Sequence, residues 1–554
     1  MVITGPDGPP PRPGRPAAPA GTPSAVLPAL SLALAWGGLA VLAWLGLTAA
    51  TPPSSPALWL TTPLAAGAIA GAWLVGVRAA LLLAASYRRR HPSVGSRARQ
   101  SHPDLERDLD LVVVALLYPT ADDFRPEVVR RSMRQSHPRV RTVILDDSRT
   151  SDARAAVDAF AASCAPASVE VVRRSSRQGF KAGNLNNYLR HHADGVGAVA
   201  ILDADQEIGP DFVRVALRHL YAYREVAVVQ GEVRSRPGGT RFVRDFRGMF
   251  DAHLRAMSAG RSYLGISTFA GRGALLDVAA LREAGGFPEV VAEDAALTLE
   301  LARRGRTVRY VPDLVSVEDA PADYTAFAVQ LGKFSEGAMQ FLGRGGSLLF
   351  DSRLRPARRL DVFVDLAGPL VGAVMTVSLF VFALAAAAGR APGLPVPFGA
   401  SLGILGAVPL LPEALRRFGR ARQVGRARRR GPVSASSIVG AVSSVARSVA
   451  AATIFLMRGG MLYASVAVVA LRAVLRVAAG NRARFVVTPK ESAGPGLRST
   501  LGRRRPELAA ASAALVVAVL LTGTVTPAGV FCAVAITAVG FSWLGGRPAR
   551  ERAE

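Results

Sequence analysis

Acidic residues recur in this chain directly after short runs of apolar residues. Asp146 and Asp147 follow one such run, and Asp203 and Asp205 follow another. Residues placed directly after a short β-type run lie at the carboxyl edge of a strand, where open α/β sheets bind ligands. An Asp-x-Asp arrangement at that edge predicts a divalent metal held against a diphosphate, because hard cations prefer oxygen ligands. We therefore predict a Mg²⁺ or Mn²⁺ site at Asp205, with Asp203 as its second carboxylate.

Three further residue types could complete the chemistry. Glu293 and Asp294 form a separate acidic pair, in which Asp294 could act as the general base for an attacking hydroxyl. Lys181 is a compact charge that could pair with a diphosphate, and Asn184 offers both a donor and an acceptor. The alternative is structural, because Asp commonly caps strand–helix turns and is favoured at helix N-termini. Together the clusters predict a transferase that uses a nucleotide-sugar.

The order of these motifs resembles the family-2 inverting glycosyltransferases, in particular the membrane-embedded cellulose-synthase-like group. The residues that carry the resemblance are Pro119-Thr120, Asp146-Asp147, Lys181 to Asn186, Asp203 to Asp205, Gly285-Gly286-Phe287 and Glu293-Asp294. The resemblance implies a GT-A-like α/β domain and transfer with inversion. It also implies that the donor is bound by Thr120, Asp146, Asp147, Lys181, Asn184 and Asp203, with Glu293 and Asp294 in the catalytic position.

A later segment matches the family's acceptor motif only in part. The family usually carries Gln-x-x-Arg-Trp, whereas this chain has Gln330, Lys333 and Phe334. Lys keeps the charge but loses the bidentate fork of Arg, and Phe keeps a ring but loses the indole N–H. The resemblance implies acceptor binding by these three residues. The departures leave the acceptor and processivity open, and an ordinary amphipathic helix is the alternative.

The segment from Phe485 to Lys490 is similar to the gating loop of cellulose synthases. The resemblance implies that Phe485, Thr488 and Lys490 close over the donor diphosphate, as a lid that excludes water. A basic linker between membrane segments is the alternative interpretation.

Composition indicates a membrane protein. Half of the 554 residues are hydrophobic but only 6% are aromatic, and the apolar residues gather in long runs. The net charge of +26 comes from Arg residues that flank these runs without interleaved aromatic residues, which argues against nucleic-acid binding. With two cysteines, no disulfide framework is predicted. We expect a bacterial plasma (inner) membrane location, with both termini and the catalytic domain on the cytosolic side.

About six membrane spans are predicted, at 25–49, 57–77, 366–388, 397–415, 508–524 and 528–545. The Arg-interrupted region 434–479 is expected to lie at the membrane interface, because a charge within the bilayer is costly. The predicted domains are a Pro/Gly-rich tail (1–24), a transmembrane hairpin (25–86), the cytosolic glycosyltransferase domain (100–345), a second hairpin (360–415), basic interfacial helices with the gating-like segment (416–505), a third hairpin (508–545) and a cytosolic tail (546–554).

These features predict transfer of a sugar, with UDP-glucose favoured, to a growing β-linked polysaccharide. Non-processive transfer to a lipid or other membrane acceptor is the first alternative. A non-catalytic transporter or scaffold with a degenerate transferase domain is the second. The expected partners are a nucleotide-sugar donor, a glycan or lipid acceptor, the lipid bilayer and accessory secretion or regulatory proteins.

Overall fold

The computed structural model describes residues 36–38, 41, 56–88, 103–165, 168–238, 240–344, 346–388, 408–427, 435–481 and 496–545. An eight-stranded sheet lies at the centre of the described part. Its strands are β1 (Val114–Thr120), β2 (Val140–Asp146), β3 (Val169–Val172), β4 (Ala198–Ile201), β5 (Glu207–Ile208), β6 (Val226–Ser235), β7 (Ala274–Asp277) and β8 (Thr307–Glu318).

The sheet is mixed, with the strand order β3-β2-β1-β4-β7-β6-β8-β5. Strands β3, β2, β1 and β4 are mutually parallel. Strand β7 runs antiparallel to both β4 and β6, and β6 is parallel to β8. The carboxyl ends of β1, β2 and β4 therefore meet at one edge, and this arrangement is the GT-A-like fold that the sequence predicts.

Helices surround the sheet and continue beyond it. Those of the described residues are α1 (Pro56–Arg88), α2 (Pro103–Asp110), α3 (Pro126–Ser132), α4 (Ser151–Ala162), α5 (Phe180–His191), α6 (Phe212–Ala222), α7 (Arg241–Tyr263), α8 (Val278–Glu283), α9 (Glu293–Arg303), α10 (Tyr324–Arg344), α11 (Pro356–Ala387), α12 (Leu411–Ala427), α13 (Ala435–Ser465), α14 (Ala467–Ala478), α15 (Leu497–Arg503), α16 (Arg505–Thr522) and α17 (Gly529–Gly545).

Both faces of the sheet are covered, which explains why its central strands are continuous apolar runs rather than alternating ones. On one face, Leu185 and Tyr188 of α5 pack with Leu297 of α9. On the other face, Phe160 of α4 packs with Leu217 of α6. The layer that contains α5 and α9 holds the first turns of these two helices against the carboxyl edge of the sheet.

Five helical segments of the described part are long and apolar enough to cross a membrane, so the chain is a multi-pass membrane protein. They are Ile69–Tyr87, Pro356–Ala387, Val445–Ala478, Arg505–Thr522 and Thr526–Leu544. The predicted span at 25–49 lies outside the described residues, apart from residues 36–38 and 41.

Two membrane segments differ from their predictions. Residues 408–415 of the span predicted at 397–415 form a 3₁₀ turn and the start of α12, where Glu413 pairs with Arg416 and Arg417. Carboxylate–guanidinium pairing favours a polar helix at this point over a membrane-crossing one. The region expected to lie at the interface instead contains a candidate span, because α13 and α14 continue each other and form a mainly apolar segment of 34 residues that contains four Arg residues.

Candidate active site

Four predicted site residues converge on Gly271, in the loop before β7. The Lys181 ammonium group donates to the carbonyl oxygen of Gly271 at 3.1 Å and pairs with Oδ1 of Asp203. A Cβ atom placed on Gly271, whose φ is +77°, would lie 3.5 Å from Cβ of Asp294 and 3.8 Å from Oε1 of Glu293. The fold therefore brings together groups from α5, the end of β4 and the start of α9.

Lys181 is held in place by the start of α5. Gly179 precedes the helix with a φ of +74°, and a side chain there would collide with the carboxyl group of Glu289. Burial by itself lowers the pKa of Lys181, but the charges of Asp203 and Glu293 outweigh burial and hold the pKa above its ordinary value. Lys181 is therefore a partly buried cation that faces the carboxylates of the site.

Arg272 and Glu318 are site residues that sequence reasoning missed. Arg272 donates through Nη2 to Oε1 of Glu318 at 2.6 Å, and its Nε lies 3.6 Å from Oδ2 of Asp203. Burial opposes the charge of Arg272, but Glu318 and Asp203 raise the pKa of the guanidinium above its usual range. The available signal was an acidic residue at the end of the long strand β8, analogous to those after β2 and β4.

Asp203 and Asp205 have different environments. The Asp203 side chain is 37% exposed beside Lys181 and Arg272. Asp205 is buried, and its Oδ2 accepts a hydrogen bond of 2.9 Å from the backbone N–H of Asp319. Asp203 is thus the more accessible oxygen ligand, whereas Asp205 also anchors the end of β8.

Asp123 is a third residue that the sequence analysis did not select. Its Oδ1 accepts from the hydroxyl of Thr120 at 3.0 Å and from the N–H of Ala121 at 2.8 Å. Burial and the nearby charges of Asp203 and Asp205 raise the pKa of Asp123. Thr120 is itself buried, so in this structure it positions Asp123 towards the site. The acidic pair at 122–123 after β1 was the missed signal.

The pair at the end of β2 is bound by arginines. Oδ2 of Asp146 accepts from Nε of Arg173 at 2.7 Å, and the Asp146 side chain is fully buried. Asp147 accepts two hydrogen bonds from Arg174, at 3.0 and 2.7 Å, and its side chain is 12% exposed. Of the two, Asp147 is the one that retains access to a ligand.

The two asparagines of the motif contact the protein backbone. Asn184 donates to the carbonyl oxygen of Leu145 at 3.0 Å. Asn186 donates to the carbonyl oxygen of Phe287 at 2.8 Å and accepts from its N–H at 2.7 Å. Asn186 therefore fixes the loop that leads to α9. Oδ1 of Asn184 is buried and has no hydrogen-bond partner among the described residues.

Glu293 and Asp294 form a coupled acidic pair at the start of α9. Burial and the adjacent Asp294 raise the pKa of Glu293 to about 7. Burial also raises the pKa of Asp294, although its Oδ1 accepts from the N–H of Ala295 at 2.7 Å. Two neighbouring carboxylates in a buried site resist simultaneous ionisation, so the pair holds a proton more readily than isolated acids do.

The residues predicted to bind the acceptor lie on α10. Burial lowers the pKa of Lys333, and the charges of Asp203, Lys181 and Glu293 also act on it, so Lys333 faces the site. Phe334 is 48% exposed, with its ring centroid 5.3 Å from Nζ of Lys333. Gln330 is half-buried one turn earlier. The gating residues Phe485, Thr488 and Lys490 lie outside the described residues.

Comparison with known proteins shows what the domain is similar to. Residues 198–407 match the family model described as "Glycosyl transferase family group 2". This part of the chain is thus similar to family-2 glycosyltransferases, and the sequence similarity extends to plant proteins.

The chain is 30% identical over 172 residues to "Probable glucomannan 4-beta-mannosyltransferase 15" of Arabidopsis thaliana, covering 30% of this chain and 32% of that protein. It is 28% identical over 168 residues to "Glucomannan 4-beta-mannosyltransferase 1" of Oryza sativa subsp. japonica, covering 30% of this chain and 32% of that protein. The chain therefore spans about a third of the length of the curated relatives it matches.

Among solved structures, the crystal structure of GalNAc-T7 with UDP, GalNAc and Mn²⁺ matches with 11% identity and a TM-score of 0.29. That match covers 38% of this chain and 44% of the other chain. A mycobacterial protein matches with 15% identity and a TM-score of 0.26, covering 39% of this chain and 68% of the other.

Proposed function

We propose that this protein is an inverting glycosyltransferase that moves a hexose from a nucleotide-sugar onto a hydroxyl group of a β-linked polysaccharide. The observation that carries the proposal is the convergence of Lys181, Asp203, Glu293 and Asp294 around Gly271. Cations beside an exposed carboxylate suit a diphosphate with a metal ion, and the buried acidic pair supplies a base. A degenerate scaffold would have no need to keep this set of charges together.

In the proposed reaction, Asp294 is the general base. Its hydrogen bond from Ala295 favours the ionised form, whereas Glu293, with a pKa of about 7, holds the shared proton more readily. The carboxylate of Asp294 takes the proton of the acceptor hydroxyl as that oxygen bonds to C1 of the donor sugar. The bond from C1 to the diphosphate breaks with its electron pair on the leaving group. A single in-line displacement inverts the configuration at C1.

Lys181 and Arg272 stabilise the leaving group in this proposal. Both are partly buried cations already held beside Asp203, so they can interact with a diphosphate without having to be recruited from solvent. Asp147, which retains exposure beyond the Asp146 ion pair, is the proposed contact for the nucleoside, with Asn184 supporting the strand end behind it. Thr120 acts through Asp123.

A divalent metal completes the proposed site. The donor atoms present are the carboxylate oxygens of Asp203, with Asp205 and Asp123 beside it, and hard cations such as Mg²⁺ and Mn²⁺ prefer these ligands. No cluster of three or more acidic, His or Cys ligands occurs within the described residues. This fits a metal that the protein holds through one or two carboxylates and that the donor diphosphate completes. Bound there, the metal would neutralise charge on the leaving diphosphate.

The donor sugar is proposed to be mannose. The relatives reported above are named as mannosyltransferases, which favours GDP-mannose over the UDP-glucose predicted from the sequence. Gln330, Lys333 and Phe334 are the proposed acceptor contacts, because Lys333 faces the same carboxylates as Lys181.

We further propose that the domain faces the cytosol. The matched relatives are plant proteins, and they give no support to the bacterial membrane predicted from the sequence.

A donor panel tests this function directly. Purified full-length protein is incubated with GDP-mannose, UDP-glucose or UDP-N-acetylglucosamine, with and without Mn²⁺, and nucleoside diphosphate release is measured with linkage analysis of the product. We expect GDP release and β-linked mannose, with loss of activity in excess EDTA. Activity with no added metal after exhaustive chelation would contradict the metal proposal, and release of UDP alone would contradict the donor.

A further inference from the structure

A cavity of about 360 Å³ lies where the catalytic domain meets the membrane helices. Its walls come from α10, from one side of α14 and from the junction of α15 with α16. Its volume is in the range of small-ligand pockets, roughly 300–1,000 Å³. Its cationic lining residues are Lys333, Arg472, Arg476, Arg503 and Arg504.

Two carboxylates oppose these five cations. Glu336 lies 3.1 Å from Nε of Arg476, and Oε1 of Glu507 lies 3.2 Å from Nη1 of Arg504. Arg472 makes no ion pair or hydrogen bond with the described part of the chain, and it is exposed at the cavity wall. The cavity therefore has an excess of positive charge that an anion would balance.

Arg504 adds a buried donor to this wall. Its side chain is 6% exposed and its guanidinium carbon lies 5.2 Å from the centroid of the Tyr324 ring. Its Nε–H is buried and has no hydrogen-bond partner among the residues described. A buried donor without an acceptor costs free energy, so an anionic oxygen at this wall would be stabilising.

The rest of the lining and the position in the fold indicate where the anion comes from. Val469, Ala473 and Pro506 give the cavity apolar walls. The candidate span Val445–Ala478 ends beside the cavity, and the span Arg505–Thr522 begins there. Basic pockets between membrane helices at the cytoplasmic boundary suit lipid headgroups, whose acyl chains remain against apolar surface.

We propose that this cavity binds the phosphate headgroup of an anionic membrane lipid. The phosphate lies between Arg472 and Arg503, while the acyl chains leave along α14 and α16. Because Lys333 lines the cavity from α10, the bound lipid ties the helix of the proposed acceptor residues to the membrane helices. The binding is independent of sugar transfer, so it can be tested whether or not the proposed reaction is right.

Native mass spectrometry of the full-length protein in neutral detergent measures this binding, with phosphatidic acid as the probe and phosphatidylcholine as the reference lipid. We expect one phosphatidic acid molecule to bind at least about tenfold more tightly than phosphatidylcholine, because its more highly charged phosphate makes stronger charge-assisted contacts with the Arg side chains. Arg472→Gln combined with Arg503→Gln should remove most of this preference. Arg472→Gln alone, at an exposed position, should weaken it without affecting folding.

The matched control removes the same charge nearby. Arg498 and Arg505 are exposed on α15 and α16 and lie outside the cavity lining. Arg498→Gln combined with Arg505→Gln should leave the preference unchanged. An equal loss in this control pair would mean diffuse surface attraction and would overturn the proposal. Displacement of the lipid by equimolar inorganic phosphate or GDP would also overturn it, in favour of a soluble-anion site.

Discussion

Two acidic pairs lie at the carboxyl edge of the same sheet, but their carboxylates have different partners. Asp146, at the end of β2, is fully buried and bound by Arg173, which follows β3. Asp203, after β4, is 37% exposed and faces Lys181 at the start of α5. The first carboxylate contacts only protein groups, whereas the second is accessible to a ligand.

The difference follows from the cation that each acid meets. A guanidinium binds a carboxylate through a planar fork, as Arg174 does with Asp147, and occupies both oxygens. The Lys181 ammonium is a point charge that contacts one oxygen of Asp203 and leaves the other facing Arg272 at 3.6 Å. The exposure of an acidic residue at a strand end thus depends on which basic side chain the neighbouring element supplies, and Asp147, at 12% exposed, is intermediate between Asp146 and Asp203.

The largest expected effect lies on the ligand-facing side. Asp294→Asn should lower turnover by about 10²–10⁴-fold, because the acceptor hydroxyl loses its base. Donor affinity, measured by calorimetry with GDP-mannose and Mn²⁺, should change little. Asp194→Asn, at a fully exposed position, is the control. Near-normal turnover in Asp294→Asn would remove this residue from the mechanism.

The next effect concerns Lys181 and Arg174, the cations that pair with Asp203 and Asp147. Lys181→Met should weaken donor binding by about tenfold to a hundredfold, since a charge-assisted contact contributes roughly 1.5–3 kcal/mol. Arg174→Met is the matched variant on the other side of the comparison, and we expect a smaller loss of donor affinity because Arg174 positions Asp147 and is not a proposed contact of the diphosphate. Equal losses of affinity in the two variants would show that the two pairs are not functionally distinct.

The structural role of the ion pair between Asp146 and Arg173 predicts a loss of stability when Asp146 is replaced. Asp146→Ala should lower the free energy of unfolding by about 1–3 kcal/mol, because it leaves the buried N–H of Ser148 without its acceptor and breaks the Arg173 pair. Thermal unfolding in detergent measures the change. Asp158→Ala removes the exposed partner of the same Arg173 and should cost less than about 1 kcal/mol. A larger loss in Asp158→Ala would reverse the assignment.

The smallest effect is a shift in pH dependence. The raised pKa of Glu293, about 7, means that the acidic pair takes up a proton as pH falls through neutrality. We therefore expect kcat/KM to fall on the acid side near pH 7. In Glu293→Gln the like charge is gone, so the acid limb should move to lower pH. A limb that stays in place would mean that the pair does not control turnover.

The sheet and its ligand edge could be predicted from the sequence. Apolar runs that end in Asp146 and Asp203 predict strands with acids at their carboxyl ends, and the strands confirm this. Membrane spans were less predictable, since the four Arg residues within Val445–Ala478 suggested the interface. One of them, Arg458, pairs with Asp245 of α7, a partner more than two hundred residues away. Long-range pairing of this kind leaves no local pattern in the sequence.

The sequence by itself determined which chemistry is available, because residue type fixes charge, hydrogen-bonding capacity and ligand preference, and apolar periodicity fixes the strands. Only the tertiary structure decided which acid meets which base. Arg272 reaches Asp203 through the loop before β7, and Glu318 arrives from the end of β8, more than a hundred residues later in the chain. Side-chain partners depend on how strands are ordered in the sheet, and strand order is set by the packing of the whole domain.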